Sequence, residues 1–166
     1  MIYQEFLDKA KTDAVSVLEN FISTNKLKEK IILDHICYKC ASNDEFVAMR
    51  KMLEPEALYL YESWISERLI AVIKLKTPIE TMFGPLHFVE LQDAKNAPNQ
   101  KSGFTHIEAY PVSGYQETIE YMRSRGVAVV EDPTPHHPIH EVSLNQNFTF
   151  RLEREPVIEK IKREEL

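Results

Sequence analysis

The chain has 166 residues, of which 43% are hydrophobic and 28% charged, with a formal net charge of −6 and an isoelectric point of about 5.6. These values are typical of a single soluble globular domain with a substantial core. Its Lys and Arg residues are dispersed among acids, which excludes the basic footprint of a nucleic-acid-binding or anionic-membrane-binding protein.

The first half of the chain combines a leading helix with a β-α-β-β-β pattern. Apolar residues at helical spacing predict a helix from residue 3 to about 25, within a helical extension over 1–29. A capping-box motif at Ser42 and Glu45 indicates the start of a second helix. The elements predicted within 30–95 are a strand at 31–40, a helix from 42 to about 53, and strands at 58–64, 69–76 and 86–92.

The second half repeats this pattern after a polar, proline-containing linker, Asp93–Ser102. A second capping-box motif, at Ser113 and Gln116, predicts a helix that ends at Gly126. The strands predicted within 102–155 lie at 104–110, 127–130, 139–144 and 148–153.

The repeat has a constant offset. His35 and His106 are 71 residues apart, and so are Ser42 and Ser113 of the two capping-box motifs. Self-similarity at a fixed offset is strong evidence of a duplicated architecture. The sequence therefore predicts one α+β domain built from two βαβββ modules.

Histidine and glutamate residues lie in the middle of predicted strands, on the face opposite apolar residues. The first strand is expected to place His35, with Leu33 and Cys37, opposite a second set made of Ile32, Ile36 and Tyr38. The fifth strand is expected to place His106 and Glu108, with Phe104, opposite Ile107 and Ala109. Glu90 and Glu153 hold comparable positions on the fourth and eighth strands.

A shared divalent cation explains these groups best, because an unpaired His or Glu is costly to bury. The candidate ligands are His35, Glu90, His106 and Glu153. Imidazole nitrogens combined with carboxylate oxygens suit Zn, Ni, Co, Mn or Fe(II).

Each residue also has an interpretation without a metal. Glu90 could form an ion pair with Lys74 or Arg151, and Glu153 could be an ordinary exposed acid. Glu108 could be a direct ligand, an acceptor for a metal-bound imidazole, a catalytic base, or a cavity-lining acid paired with Arg151.

Three further histidines follow a proline-rich segment at 132–135. His136, His137 and His140 could belong to a lid loop, with His140 facing the metal or the substrate. The alternative is a solvated loop, with His140 at the start of a strand. Both interpretations stay open at this point.

The motifs Asp34-His35-Ile36, Val89-Glu90-Leu91 and His106-Ile107-Glu108, with a closing acidic strand, resemble the YecM-like family of the vicinal oxygen chelate superfamily. The resemblance spans roughly residues 30–155. It implies an open, curved, eight-stranded mixed sheet in which each module gives one metal ligand from its first strand and one from its last. Carried over by position, these are His35 and Glu90, then His106 and Glu153.

The resemblance also implies a function. A small substrate would bind the metal through two vicinal oxygens and be turned over by a lyase, isomerase or dioxygenase, with Glu153 or Glu108 as the catalytic proton carrier. His140 and Arg151 are candidate substrate or lid residues. The alternatives are a non-catalytic small-ligand-binding module and a metal-free relative. A monomer or a homodimer is compatible with the fold.

The cellular compartment is expected from the cysteines and from the absence of targeting signals. No apolar run approaches the ~20 residues of a membrane span, and the N-terminus lacks signal-peptide character. Cys37 and Cys40 are too few for a disulfide framework. We therefore expect a cytoplasmic protein.

Overall fold

The computed structural model describes residues 1–65, 67–95, 99–132 and 139–163, and within these ranges the chain forms eight β-strands and five α-helices. The strands are β1 (Ile31–Lys39), β2 (Ala57–Ile65), β3 (Arg68–Ile79), β4 (Leu86–Gln92), β5 (Gly103–Pro111), β6 (Val130–Asp132), β7 (Ile139–Ser143) and β8 (Thr149–Leu152). The helices are α1 (Tyr3–Ala10), α2 (Ser16–Asn25), α3 (Asn43–Leu53), α4 (Tyr115–Ser124) and α5 (Val157–Lys162).

All eight strands belong to one mixed sheet, in the order β2-β3-β4-β1-β5-β8-β7-β6. The first strand of each module pairs in parallel with the last strand of the same module, β1 with β4 and β5 with β8. The two modules meet where β1 and β5 pair antiparallel at the centre of the sheet. This topology confirms the predicted α+β fold of two βαβββ modules in an eight-stranded mixed sheet.

The main core lies between one face of the sheet and the helices. The expected N-terminal helix is present as α1 and α2, joined by a π-helical turn over Lys11–Val15. Phe6 of α1 packs its ring against Tyr38 and Phe104, one residue from each module. The helix therefore covers the junction between the modules. No helix in the described ranges has the length and apolar character that crossing a membrane requires.

Two β-bulges at the central strand pair change which residues face this core. Leu33 pairs with Ala109 and His35 with Glu108, so Asp34 is an extra residue on β1. In the same way, Thr105 is an extra residue on β5, between the two residues that pair with Tyr38 and Cys37. Each bulge shifts the alternation of side chains by one position.

The expected face assignments at the start of each strand are therefore wrong. Leu33 and Phe104 belong to the core instead of sharing a face with the histidines, and Ile32 is 44% exposed instead of buried. A strict two-residue period cannot anticipate an inserted residue. Beyond the bulges, His35 and His106 lie on the opposite, concave face, as predicted.

The two helix starts differ. Ser42 caps α3 by accepting a hydrogen bond from the backbone N–H of Glu45, while the Glu45 carboxylate accepts one from Ala41. The predicted second capping box is wrong, because Gly114 is the N-cap of α4 and no side chain caps that helix.

The bounds predicted for the next strand, 127–130, are also wrong. Val127 donates its N–H to the carbonyl of Met122 and completes the C-terminal turn of α4, past Gly126 at φ +79°. The strand β6 consequently begins only at Val130.

The short helix α5 was not predicted and lies against the concave face. Its Val157 and Ile161 pack on Val72 of β3 and Phe88 of β4 in a second, smaller apolar cluster. Covering this part of the sheet limits solvent access to the residues beside it, which include the histidines and glutamates described next.

Candidate metal centre

Each of the two predicted histidines is held by the residue that precedes it, which is the bulge residue of its strand. Nδ1 of His35 lies 2.9 Å from Oδ2 of Asp34, and Nδ1 of His106 lies 3.2 Å from Oγ1 of Thr105. In the neutral imidazole that donates from Nδ1 to these oxygens, Nε2 carries a free lone pair, which is the form that a metal ion binds. The bulges therefore orient both imidazoles so that Nε2 points away from the core, into the space over the concave face of the sheet, which we call the cup.

Two carboxylates complete a ring of four groups. Nε2 of His35 lies 3.6 Å from Glu90 and 3.7 Å from Glu108, and Nε2 of His106 lies 3.8 Å from Glu90 and 3.6 Å from Glu108. All four separations exceed the length of a normal hydrogen bond. Different oxygens of each carboxylate face the two imidazoles, so the four side chains form a ring without hydrogen-bonding to one another.

The pKa values of His35 and Glu90 reflect this crowding. Burial alone would lower the pKa of His35, but Glu108, the hydrogen bond to Asp34, and Glu90 together raise it to about 9. Burial alone would raise the pKa of Glu90, but His35, His106 and hydrogen bonds from Gln92 and Cys37 lower it to about 2. Without a cation, the centre therefore holds a buried charged pair.

The pKa values of the other histidine and glutamate, His106 and Glu108, shift in the opposite directions to those of His35 and Glu90. Burial, followed by the positive charge of Arg151, holds the pKa of His106 well below its usual value. Because Arg has no acceptor, Nη1 of Arg151 at 3.4 Å from Nε2 of His106 requires that Nε2 carries no proton. The pKa of Glu108 is raised, first by burial and then by Glu153, although His35 opposes the rise.

The donor set fits a divalent cation. Bonds of ~2.0–2.2 Å place neighbouring ligand atoms of a tetrahedral ion about 3.3–3.6 Å apart, close to the 3.6–3.8 Å between each imidazole nitrogen and the nearest oxygen of each carboxylate. Nε2 of His35 is buried and has no hydrogen-bond partner among the described residues. Two imidazoles and two carboxylates also match the ligand preferences of Zn, Ni, Co, Mn and Fe(II).

Two groups of potential ligands emerge within the described residues, each with its donor atoms within 4.8 Å of one another. One is His35, Glu90 and His106, and the other is Asp34, His35 and Glu108. Oδ2 of Asp34 is already engaged by His35 and by the backbone N–H of Val157, 2.9 Å away. We therefore regard Asp34 as the residue that positions His35.

Glu153, the expected fourth ligand, lies in neither group. It follows the last residue of β8, and its carboxylate forms an ion pair with Lys160 of α5 at 3.0 Å. The register explains the difference. Cys37 pairs with Glu90 in the first module, and Glu108 pairs with Arg151 in the second, so Arg151 holds the position equivalent to Glu90.

His140 lies on the helix-facing side of the sheet. It pairs with the core residue Leu152, and its Nδ1 contacts the hydroxyl of Tyr115 at 2.9 Å, while that hydroxyl also donates to the carbonyl of Leu152. The expectation that His140 faces the metal is not supported by this geometry. His136 and His137 lie outside the described residues.

Sequence reasoning missed the residues that position this centre. Asp34 and Thr105 each precede a predicted ligand and are themselves related by the 71-residue offset, which is a signal the repeat contained. Gln92 donates to Glu90, and Lys160 neutralises Glu153. No local pattern indicated Lys160, because α5 reaches the cup only through tertiary packing.

A separate cleft of about 560 Å³ lies at the start of β1. Asp34, Phe88, Tyr110 and Ile158 are among its lining residues, whereas none of the four converging residues lines it. Asp34, which hydrogen-bonds to His35, connects this cleft to the centre.

The sheet topology, with its two central strands each carrying a histidine toward one cup, is the arrangement that the resemblance to the vicinal oxygen chelate superfamily implied. The chain belongs to the YecM family, whose model, described as YecM protein, matches residues 6–153. This confirms the family to which the sequence motifs pointed.

Solved structures are similar in fold. A structural-genomics protein, EC4020, is 19% identical, with a TM-score of 0.71 over 95% of this chain and 91% of its own. Methylmalonyl-CoA epimerase from Streptomyces coelicolor, in complex with 2-nitronate-propionyl-CoA, is 15% identical, with a TM-score of 0.47 over 72% of this chain and 94% of its own. Homoprotocatechuate 2,3-dioxygenase from Brevibacterium fuscum, in complex with 3,4-dihydroxyphenylacetate, is 10% identical, with a TM-score of 0.44 over 77% of this chain and 37% of its own. No curated protein sequence matches this chain.

Proposed function

We propose that the chain binds one divalent ion, Zn, Ni, Co, Mn or Fe(II), through His35, Glu90, His106 and Glu108, and that a small substrate binds there through vicinal oxygens. One observation carries the proposal. Each of the two imidazole Nε2 atoms lies 3.6–3.8 Å from an oxygen of Glu90 and an oxygen of Glu108, with no hydrogen bond between them, and Nε2 of His35 is buried with no partner among the described residues. Glu108 takes the place that the family resemblance gave to Glu153.

The surrounding residues prepare the four donors. Asp34 and Thr105 fix the two imidazoles, and Gln92 fixes the carboxylate of Glu90 by donating a hydrogen bond. Such contacts keep the tautomer and direction of a ligand constant. A bound divalent ion would supply Lewis-acid stabilisation of an oxyanion that forms on the substrate.

Glu153 is our candidate for the proton carrier of an isomerase, lyase or dioxygenase reaction. It is buried, its charge acts on neighbouring Glu108, and Lys160 holds its carboxylate at 3.0 Å. A carboxylate that lies beside the ligands can accept a substrate proton while every ligand stays in place.

The alternative is a non-catalytic module that binds a small ligand in the same cup. The contact between Arg151 and His106 favours this alternative. Arg151 donates a hydrogen bond to Nε2 of His106 and so satisfies one candidate ligand atom without a metal. Turnover assays with metal-loaded protein distinguish the two, since the alternative predicts ligand binding without product.

Metal content and affinity test the proposal directly. Tag-free protein should contain, or take up, one divalent ion per chain, as measured by elemental analysis and calorimetric titration. His35→Ala and Glu90→Gln should each weaken binding by about tenfold or more, because Ala removes the imidazole and Gln replaces an anionic carboxylate with a neutral amide oxygen. His87→Ala is the matched control, since His87 is an exposed histidine on the same strand as Glu90.

Retention of wild-type metal affinity by His35→Ala would overturn the ligand assignment. A wild-type chain that takes up none of the five ions, and whose thermal stability none of them changes, would overturn the metal site itself. Circular dichroism of each variant separates loss of a ligand from loss of the fold.

A further inference from the structure

Arg151 breaks the symmetry of the two modules at the centre of the cup. The parallel pairing of β8 with β5 places it opposite Glu108, as the pairing of β4 with β1 places Glu90 opposite Cys37. The second module therefore presents a guanidinium group where the first presents a carboxylate. The Nη1 atom of Arg151 lies 3.4 Å from Nε2 of His106.

The guanidinium of Arg151 is both oriented and accessible. Its Nε donates to Glu141 of the neighbouring strand β7 at 3.2 Å, and its side chain is 28% exposed. Within the described residues, its hydrogen bonds are those to Glu141 and His106. An arginine side chain has five N–H donors in a planar fork that suits carboxylate and phosphate groups. Arg151 therefore retains donors for an anion that enters the cup.

A second arginine approaches the same region. Arg68 begins β3, and side-chain alternation places it on the face of Val72, which pairs with Glu90. Its Nε is buried and has no hydrogen-bond partner among the described residues. The charges of Arg151 and Arg68 both act on His106. A buried donor without a partner is unfavourable unless a ligand satisfies it.

The distribution of charge restricts how an anion can bind. Glu90 and Glu108 would repel an anion placed midway between the histidines, whereas a divalent ion at that point would balance the two carboxylates. The guanidinium groups then provide the excess positive charge beside the centre. An anionic group therefore fits at the arginines, and a neighbouring oxygen of the same molecule reaches the four-donor centre.

We propose that the substrate is a small organic anion whose carboxylate or phosphate group binds Arg151 and Arg68 while an adjacent oxygen binds at the metal centre. This inference rests on the proposed function and specifies its substrate class. It makes Arg151 and Arg68 the residues that select an anion over a neutral molecule of the same shape.

Three small probes test the inference: lactate, its neutral amide lactamide, and inorganic phosphate. Each is titrated into Zn-loaded and metal-free protein, and the Nε–H signals of the arginines are followed by ¹⁵N NMR. We expect lactate to shift the signals of Arg151 and Arg68. Arg151→Met should weaken lactate binding by about tenfold or more, because it removes a charge-assisted hydrogen bond. The relative affinities for lactate and phosphate identify which anion the site prefers.

The control variant is Arg123→Met, which alters an exposed arginine on α4 and should leave all affinities unchanged. Arg68→Met provides a second variant if Arg151→Met fails to fold. Equal affinity for lactate and lactamide, or wild-type lactate affinity in a folded arginine variant, would overturn the inference.

The experiments can overturn the metal site and the anion site independently. If no metal binds, but phosphate still shifts the arginine signals of the metal-free protein and the Met variants abolish that shift, the anion site stands and the metal site falls. If metal binds normally and neither anion shifts the arginine signals, the metal site stands and the anion site falls.

Discussion

Asp34 accepts a hydrogen bond from Nδ1 of His35 at 2.9 Å, and the same carboxylate oxygen accepts one from the backbone N–H of Val157 at 2.9 Å. One buried carboxylate thus connects the candidate metal centre to the start of α5. It also stabilises the imidazole orientation that directs Nε2 toward Glu90 and Glu108.

We expect Asp34→Asn to lower the affinity for a divalent ion by about 10–100-fold, because the amide keeps an acceptor but loses the charge that supports His35. Chelator competition measures the change. Asp93→Asn is the matched control, since Asp93 is also buried, accepts a hydrogen bond from Asn43, and is not one of the converging donors. An Asp34→Asn affinity within twofold of the wild type would contradict this role.

The roles of Glu108 and Glu153 can be distinguished by measuring both metal affinity and turnover for variants of each residue. Glu108→Gln should weaken metal binding by about tenfold or more, because it replaces an anionic carboxylate with a neutral amide oxygen. Glu153→Gln should leave metal affinity within about threefold of the wild type and should reduce any turnover, since Glu153 pairs with Lys160 outside the ring. The reverse pattern would restore Glu153 as the ligand.

Lys160→Met should destabilise the protein by about 3 kcal/mol, because it leaves a buried carboxylate without its cation. The Lys160 and Glu153 side chains are only 13% and 6% exposed. Urea denaturation measures the effect, and Glu153→Gln in the same chain should recover part of the loss. Lys162→Met on the same helix breaks an exposed pair with Glu159 and should cost less than about 1 kcal/mol. Equal effects of the two lysine variants would show that burial of the Lys160 pair has no energetic consequence.

The free energy of unfolding should decrease at mildly acidic pH because of His140. Burial is the main cause that lowers the pKa of His140 below its ordinary value of 6.5. The unfolded chain therefore binds a proton at His140 more readily than the folded chain, so the His140 contribution decreases as pH falls through 6.5. Relative to His140→Asn, the wild type should lose free energy of unfolding between pH 7.5 and 5.5. A difference between the two proteins that does not change with pH would contradict this account.

The sequence by itself predicted the duplicated βαβββ architecture, and it did so through the 71-residue offset of His35 and His106. Both histidines and Glu90 lie on the strands and the face that local alternation indicated. These features depend on the period of each strand and on its neighbours in sequence, which a single chain displays directly. The strand β4 was predicted with the bounds that the structure has, 86–92.

Only the tertiary structure decided how the centre is completed. The bulges at Asp34 and Thr105 arise from the pairing of β1 with β5, and the register of β8 against β5 places Arg151, not Glu153, opposite Glu108. A shift of two residues in register keeps every side chain on the same face, so alternation alone could not choose between Arg151 and Glu153. The cup contains its carboxylate and arginine neighbours because of strand pairing between distant segments, and that pairing leaves no local pattern in the sequence.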